Sequence, residues 1–208
     1  MDFTHRYLDE SVEVLKQLDR NSIEAVVDLL AKTREQNGRV FVLGVGGSAA
    51  TGSHFVNDLR KLAHIEAYAP TDNVSELTAR TNDEGWASVF EAWLKISRLH
   101  RGDGLFILSV GGGDEERNIS PNLVRAIKYA KSVGASVMGI VGRAEGFTAK
   151  QADACVVIPQ VHADRVTAHS EAFQGVVGHL IISHPKIKVA ATKWESAVQP
   201  GEQKKPKA

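Results

Sequence analysis

The fold of this chain is decided by the stretch Arg39-Val-Phe-Val-Leu-Gly-Val-Gly-Gly-Ser-Ala-Ala-Thr-Gly-Ser-His-Phe-Val-Asn-Asp-Leu59. The apolar run 40–43 predicts a buried strand, and the glycines that follow it predict a tight turn. The turn ends at Ser48, where a helical pattern begins. A strand, a glycine turn and a helix N-terminus predict an anion site, because glycines let the backbone approach a ligand and the free N–H groups of the first helical turn point at it.

Such a turn also occurs in α/β proteins that bind no ligand there. The residues of the following helix therefore help to decide whether this turn belongs to a site. His54 and Asp58 lie four residues apart and therefore project from one helix face just past the turn. From Gly44 the turn reads G-x-G-G-S. It lacks the third glycine of the dinucleotide fingerprint and the G-K-S/T ending of the nucleotide-binding P-loop. The pattern favours a single phosphate, such as that of a phosphosugar, and no nucleotide cofactor.

The composition predicts one globular, cytoplasmic domain. The chain has 208 residues, of which 43% are hydrophobic and 24% charged, with 25 basic and 25 acidic side chains. This charge balance argues against nucleic-acid binding. A single cysteine, Cys155, excludes an internal disulfide and a cysteine metal cluster and fits a reducing compartment. The N-terminal segment does not resemble a signal peptide, and no apolar run is long enough to span a membrane, so we expect no membrane association.

Strands and helices alternate along the chain, which predicts an α/β three-layer sandwich with a central parallel sheet flanked by helices, of the flavodoxin-like type. One long amphipathic helix is expected over 4–36. The expected strands are 40–43, 65–69, 104–109, 136–141 and 154–158, and the expected later helices are 48–63, 74–80, 85–98, 121–133, 147–151 and 167–183. We expect a single domain over 1–190, with 1–37 serving oligomerisation. The polar, proline- and lysine-rich tail 191–208 is expected to be disordered.

Two further segments carry candidate site residues. Ser109 ends a predicted strand and Ser120 precedes a helix, so both flank a second glycine-rich loop; alternatively they make an ordinary strand-end bond and a helix N-cap. On the helix 167–183, one face is expected to carry Glu171, Gln174, Gly175, Gly178 and His179, and the opposite face Phe173, Val176, Val177 and Leu180. A polar face with two glycines predicts a close helix contact or a site, although a solvated face would also be polar.

The motifs, taken together over residues 4–184, resemble the sugar isomerase (SIS) domain and, within it, the phosphoheptose isomerases. They are Gly46-Gly47-Ser48, His54-Phe55-x-x-Asp58-Leu59, Ser109 before a glycine-rich loop, and Glu171-x-x-Gln174-x-x-x-x-His179. The resemblance implies isomerisation of sedoheptulose 7-phosphate to D-glycero-D-manno-heptose 7-phosphate. It also implies a homotetramer packed through the N-terminal helix. The alternative is a non-catalytic SIS module that binds a phosphosugar or a protein partner.

The resemblance also implies roles for individual residues. Asp58 would be the base that moves a proton between C1 and C2, and His179 its acid/base partner. Zinc would be held by His54, Asp58, Glu171 and His179; four polar side chains on two helices also describe a simple hydrogen-bonded interface. The substrate and its phosphate would be bound by Gly46, Gly47, Ser48, Ser109, Ser120, Asn82 and Asp83.

The chain departs from the family pattern at Val45, at Asp58, in the second loop, and at Glu171, where glutamine is common. Val45 replaces a common asparagine, and Asp58 replaces the usual glutamate. The second loop reads Ser109-Val-Gly and is then lengthened by residues 112–119, which removes two phosphate-binding hydroxyls. These changes keep the acid/base residues but weaken the expected phosphate site, and for that reason the binding-module alternative stays open.

Overall fold

The computed structural model describes residues 2–197, and within them five parallel strands form one sheet. The strands are β1 (Val40–Leu43), β2 (Ala67–Tyr68), β3 (Gly104–Ser109), β4 (Ser136–Val141) and β5 (Ala154–Val157). Their order in the sheet is β2-β1-β3-β4-β5. Because all neighbours are parallel, the carboxyl ends of β1 and β3 lie side by side, with Leu43 paired to Ile107. The glycine-rich loops that follow β1 and β3 therefore lie next to each other at the carboxyl-terminal ends of the strands.

Helices cover both faces of this sheet. Their bounds are α1 (Phe3–Gln17), α2 (Arg20–Glu35), α3 (Gly47–Lys61), α4 (Val74–Asp83), α5 (Val89–Ile96), α6 (Pro121–Ser132), α7 (Phe147–Gln151), α8 (Val166–Ser183) and α9 (Lys193–Ala197). Short 3-10 helices occupy Pro70–Asp72 and Ala163–Arg165. From α3 to α8 the predicted helices are confirmed, with ends shifted by a few residues, as expected where caps and fraying decide the last turn.

Two apolar cores lie on opposite sides of the strands, which confirms the three-layer α/β fold. Successive side chains of a strand point to opposite faces, so Val42 and Phe106 join the core beneath α2, α3 and α8, while Phe41 and Ile107 join the core beneath α5 and α6. β1 and β3 are buried at every residue, because both faces of a helix-covered sheet exclude water.

The prediction of one helix over 4–36 is wrong, because the chain breaks between α1 and α2. Leu18 adopts an extended conformation with ψ 126°, and the Asp19 side chain accepts a hydrogen bond from the Asn21 backbone N–H and so caps α2. The two helices are also buried to different extents. α2 packs five residues into the structure, whereas Val14 is the one buried residue of α1 within this chain.

The C-terminal prediction is tested only in part. Residues 193–197 form the short, exposed helix α9 inside the segment predicted to be disordered. Residues 198–208 lie outside the described residues, so disorder there stays a prediction, as does the domain boundary at 190. Between residues 2 and 197 no helix combines the length and the apolar character needed to cross a membrane.

Candidate active site

The turn between β1 and α3 needs glycine at two positions. Gly46 has φ 62° and ψ −128°, a conformation that residues with a Cβ rarely adopt. Gly44 has no room for a side chain, since a Cβ there would lie 2.5 Å from the Ser48 carbonyl oxygen. The turn therefore brings the first turn of α3 directly against the end of β1 and buries Ser48.

A cavity of about 300 Å³ lies between α3 and α8. The two helices pack closely beside the cavity. A Cβ added at Gly178 of α8 would lie 3.6 Å from the ring of Phe55 on α3. All residues that line the cavity come from these two helices, namely Ala50, Thr51, His54, Phe55, Asp58, Gln174, Gly175, Gly178 and His179. This set confirms that Gln174, Gly175, Gly178 and His179 share one face of α8.

Three ionisable side chains of the cavity meet at one carboxylate oxygen. Oδ2 of Asp58 lies 3.4 Å from His54 Nε2 and 3.5 Å from His179 Nδ1. The other oxygen, Oδ1, accepts a hydrogen bond of 2.9 Å from the Asn57 side chain, which holds the carboxylate in this orientation. Asp58 is only 7% exposed, whereas both imidazoles keep about 60% of their surface accessible. The carboxylate is thus shielded, and the histidines face the solvent side of the cavity.

This arrangement supports two kinds of chemistry. A carboxylate beside an imidazole can take and return protons as a general base and acid. Two imidazoles and a carboxylate also form a suitable ligand set for a divalent cation such as zinc, with a fourth position left for water or substrate. The three potential ligand atoms lie within 4.8 Å of one another, so His54, Asp58 and His179 could bind one ion with small side-chain movements.

The structure does not bring Glu171 within 4.8 Å of these three ligand atoms, so its role as a fourth metal ligand stays a prediction. Glu171 lies eight residues before His179, or about 12 Å along the axis of α8. Its carboxylate instead lies against Gly47, where an added Cβ would come within 2.6 Å of the Glu171 carboxyl carbon. The side chain therefore contacts the N-terminus of α3, at the anion site that the sequence predicts.

The three predicted phosphate-binding serines have different environments. Ser48 is buried, and its hydroxyl donates a 2.9 Å hydrogen bond to Gln174 Oε1. Ser109 accepts a 3.0 Å hydrogen bond from the Gly112 backbone N–H, so its hydroxyl makes the ordinary strand-end bond that was the alternative. Ser120 has φ 48° and makes no capping side-chain hydrogen bond to α6. Neither Ser109 nor Ser120 lines the cavity.

The remaining predicted substrate residues also lie apart from the cavity. Asn82 and Asp83 end α4, are exposed, and bond to each other through Asn82 Nδ2 and Asp83 Oδ1 at 2.7 Å. Gly46 is the N-cap of α3 and Gly47 its first residue, and neither lines the cavity. The cavity therefore holds the predicted acid/base residues Asp58 and His179 and none of the predicted phosphate-binding residues.

Thr51 and Gln174 also line the cavity, although the sequence motifs predicted no site role for either residue. Thr51 precedes His54 by three residues and Asp58 by seven, which is the spacing of one helix face and could have identified it. The predicted apolar face of α8 is only half correct. Phe173 and Val177 are buried, but Val176 and Leu180 remain nearly half exposed.

Gly175 lies inside α8, where a glycine weakens the helix, and the space beside it is open. Replacing it with alanine therefore tests whether the fold needs a glycine here. A Cβ at this position would meet no atom within 4 Å. We expect Gly175→Ala to raise the free energy of unfolding by about 0.5–1 kcal/mol, because glycine weakens a helix interior by that amount. Urea denaturation measures the change. Gly52→Ala is the matched control and should give no such gain, since its Cβ would crowd Val42 at 3.3 Å. A loss of stability in Gly175→Ala would contradict the open space described here.

Comparisons with known proteins show the family and the fold of the chain. The family model of the SIS domain matches residues 6–142. The chain is 31% identical over 188 residues to the lincomycin biosynthesis protein LmbN of Streptomyces lincolnensis, covering 85% of this chain and 66% of that protein. It is 32% identical to the phosphoheptose isomerase of Vibrio parahaemolyticus over 176 residues, which cover 79% of this chain and 88% of the relative.

A solved structure extends the agreement to the fold. The structure of the phosphoheptose isomerase of Neisseria gonorrhoeae superimposes with a TM-score of 0.75 and 24% identity. The match covers 86% of this chain and 95% of that one, so nearly the whole of the other protein has a counterpart here. At 24% identity this structural likeness shows only the fold. The family is shown by the SIS domain model, which matches residues 6–142. The chain belongs to the SIS domain family.

Proposed function

We propose that this protein is an aldose–ketose isomerase of phosphorylated sugars that converts sedoheptulose 7-phosphate to D-glycero-D-manno-heptose 7-phosphate. The observation that carries the proposal is the shielded Asp58 carboxylate in the wall of an open cavity, beside the exposed imidazole of His179. A binding site for a sugar phosphate has no need of a buried base beside an imidazole, whereas proton transfer between neighbouring carbons requires this pair. Relatives named phosphoheptose isomerase, at 28% to 32% identity, support the choice of substrate.

In this reaction Asp58 removes the proton from C1 of the open-chain ketose. His179 gives a proton to the carbonyl oxygen on C2, which leaves an enediol. His179 then accepts the proton of the C1 hydroxyl, and Asp58 returns its proton to C2, so that the aldose forms with no net gain or loss of protons. The Asn57 side chain keeps Oδ1 occupied and leaves Oδ2 for this exchange.

We also propose that the enzyme uses zinc, held by His54, Asp58 and His179. The donor set and the 4.8 Å limit on the distances among its atoms support this assignment. When bound, the ion would polarise the substrate carbonyl as a Lewis acid.

A second candidate function is a SIS module that binds a phosphosugar or a protein partner without turnover. The observation in its favour is the second glycine-rich loop. Ser109 Oγ accepts a hydrogen bond from the Gly112 N–H, and neither Ser109 nor Ser120 lines the cavity, so that loop contributes no hydroxyl to a ligand there. The retained Asp58 and His179 favour the enzyme.

Proton NMR of the protein with sedoheptulose 7-phosphate in D2O separates the two candidates. The experiment is run on chelator-treated protein and again with zinc added. We expect aldose signals and exchange of a C1 proton for deuterium, faster in the zinc sample. If the sugar phosphate raises the melting temperature of the protein but neither NMR signal appears, the binding module is supported instead. Equal rates with and without zinc would contradict the metal assignment alone.

The assembly that we propose is a homotetramer, formed by a single domain over residues 1–190. α1 exposes Leu8, Val12 and Leu15, which lie three or four residues apart on one helix face, and α8 exposes Val176 and Leu180. Burial of such apolar faces between subunits is favourable. Light scattering tests the mass of the assembly. A cytoplasmic location stays a prediction.

A further inference from the structure

Gln174 has a half-satisfied amide in the wall of the cavity. The residue is 0% exposed and lies on the face of α8 that borders the cavity. Its Oε1 accepts the hydroxyl hydrogen bond from Ser48, but its Nε2 has no partner. Buried polar groups are nearly always hydrogen-bonded, and an unpartnered donor lowers stability. A cavity-lining glutamine with a free N–H2 group therefore points to a ligand that supplies the missing acceptor.

The Ser48 hydroxyl holds the carbonyl end of the Gln174 amide. The serine is itself buried at the start of α3, and its hydroxyl lies 2.9 Å from Oε1. This bond turns the carbonyl end of the Gln174 amide towards α3 and leaves the donor end without a protein partner. The turn that shapes the anion site thus also orients Gln174 across 126 residues of sequence.

We propose that Gln174 is a substrate-positioning residue whose Nε2 donates a hydrogen bond to a hydroxyl or carbonyl oxygen of the open-chain sugar, with Ser48 holding the amide in that orientation. The inference rests on the proposed function. An N–H2 group can only donate, so its ligand must be an oxygen acceptor, of which a sugar has one on each carbon. Gln174 lies five residues before His179 on α8, or about 7.5 Å along the helix axis. We therefore infer contact with the sugar chain and assign Gln174 no proton transfer.

Binding to a protein that cannot turn the substrate over tests the proposal. In an Asp58→Asn background, isothermal titration calorimetry gives the Kd of sedoheptulose 7-phosphate and, separately, of inorganic phosphate. We expect Gln174→Met to raise the Kd of the sugar phosphate about tenfold, which is the loss expected for one hydrogen bond. The Kd of inorganic phosphate should stay unchanged, because the amide contacts the sugar. Gln151→Met, an exposed position outside the cavity, is the control.

A second variant separates positioning from packing. Gln174→Glu keeps the shape of the side chain and the acceptor for Ser48 but removes the N–H donors, and it should weaken sugar binding at least as much. A structural role alone would lower the melting temperature of both variants and leave the Kd of the sugar phosphate unchanged, which would overturn the proposal. Weaker binding of inorganic phosphate to the uncharged Gln174→Met variant would overturn it as well. If sedoheptulose 7-phosphate fails to bind with Gln174 intact, the proposed function is refuted and this inference falls with it.

Discussion

Asp58→Asn should lower the rate of isomerisation by about a thousandfold while the protein stays folded. General base catalysis by a positioned side chain contributes about a hundredfold to ten thousandfold, and an amide cannot accept the proton. Asn has nearly the shape of Asp, so the contact with Asn57 and the packing of α3 on α8 can persist. The change therefore removes the base and little else.

The measurement is the rate of deuterium entry at C1 of sedoheptulose 7-phosphate, with the melting temperature recorded beside it. Glu35→Gln makes the same chemical change at an exposed position on α2 and should leave both values as they are. Activity near that of the parent protein in Asp58→Asn would remove Asp58 from the mechanism. A collapse of the melting temperature would instead mean that the carboxylate is structural.

Gly44→Ala should lower the free energy of unfolding by about 3 kcal/mol, because the new methyl group would clash with the backbone of α3. Its Cβ would lie 2.5 Å from the Ser48 carbonyl oxygen, 2.6 Å from the Ser48 carbonyl carbon and 2.8 Å from the Ala49 nitrogen. All three are backbone atoms, so no side chain can rotate away and the start of α3 must move. Activity should fall too, since α3 carries His54 and Asp58.

Thermal and urea unfolding measure this effect, and a domain of this size should lose about 6–12 °C in melting temperature. Gly111→Ala is the matched control in the second glycine-rich loop. A Cβ there would meet no atom within 4 Å, and the free energy of unfolding should change by less than about 0.5 kcal/mol. Equal stability of the Gly44 and Gly111 variants would contradict the close approach of β1 and α3.

Much of the fold could be predicted from local patterns. Strands 40–43, 104–109 and 136–141 have the predicted bounds, because each is a mainly apolar run whose residues, apart from the half-buried Ser136, are buried. The break at Leu18 could not be predicted, since α1 and α2 carry the same apolar periodicity on either side of it. Whether a two-residue interruption forms depends on how Asp19 caps α2, and Asp is common inside predicted helices as well as at their ends.

The candidate site also combines features that local sequence predicts with features that depend on tertiary packing. The sequence by itself determined that His54 and Asp58 share a helix face and that glycines bring α3 against β1, because both follow from hydrogen bonds and sterics within a few residues. Only the tertiary structure decided that His179 meets Asp58, that Ser48 meets Gln174, and that Glu171 turns to Gly47. These partners are more than a hundred residues apart, and their distances depend on how α3 and α8 pack across the whole layer, which no local spacing encodes.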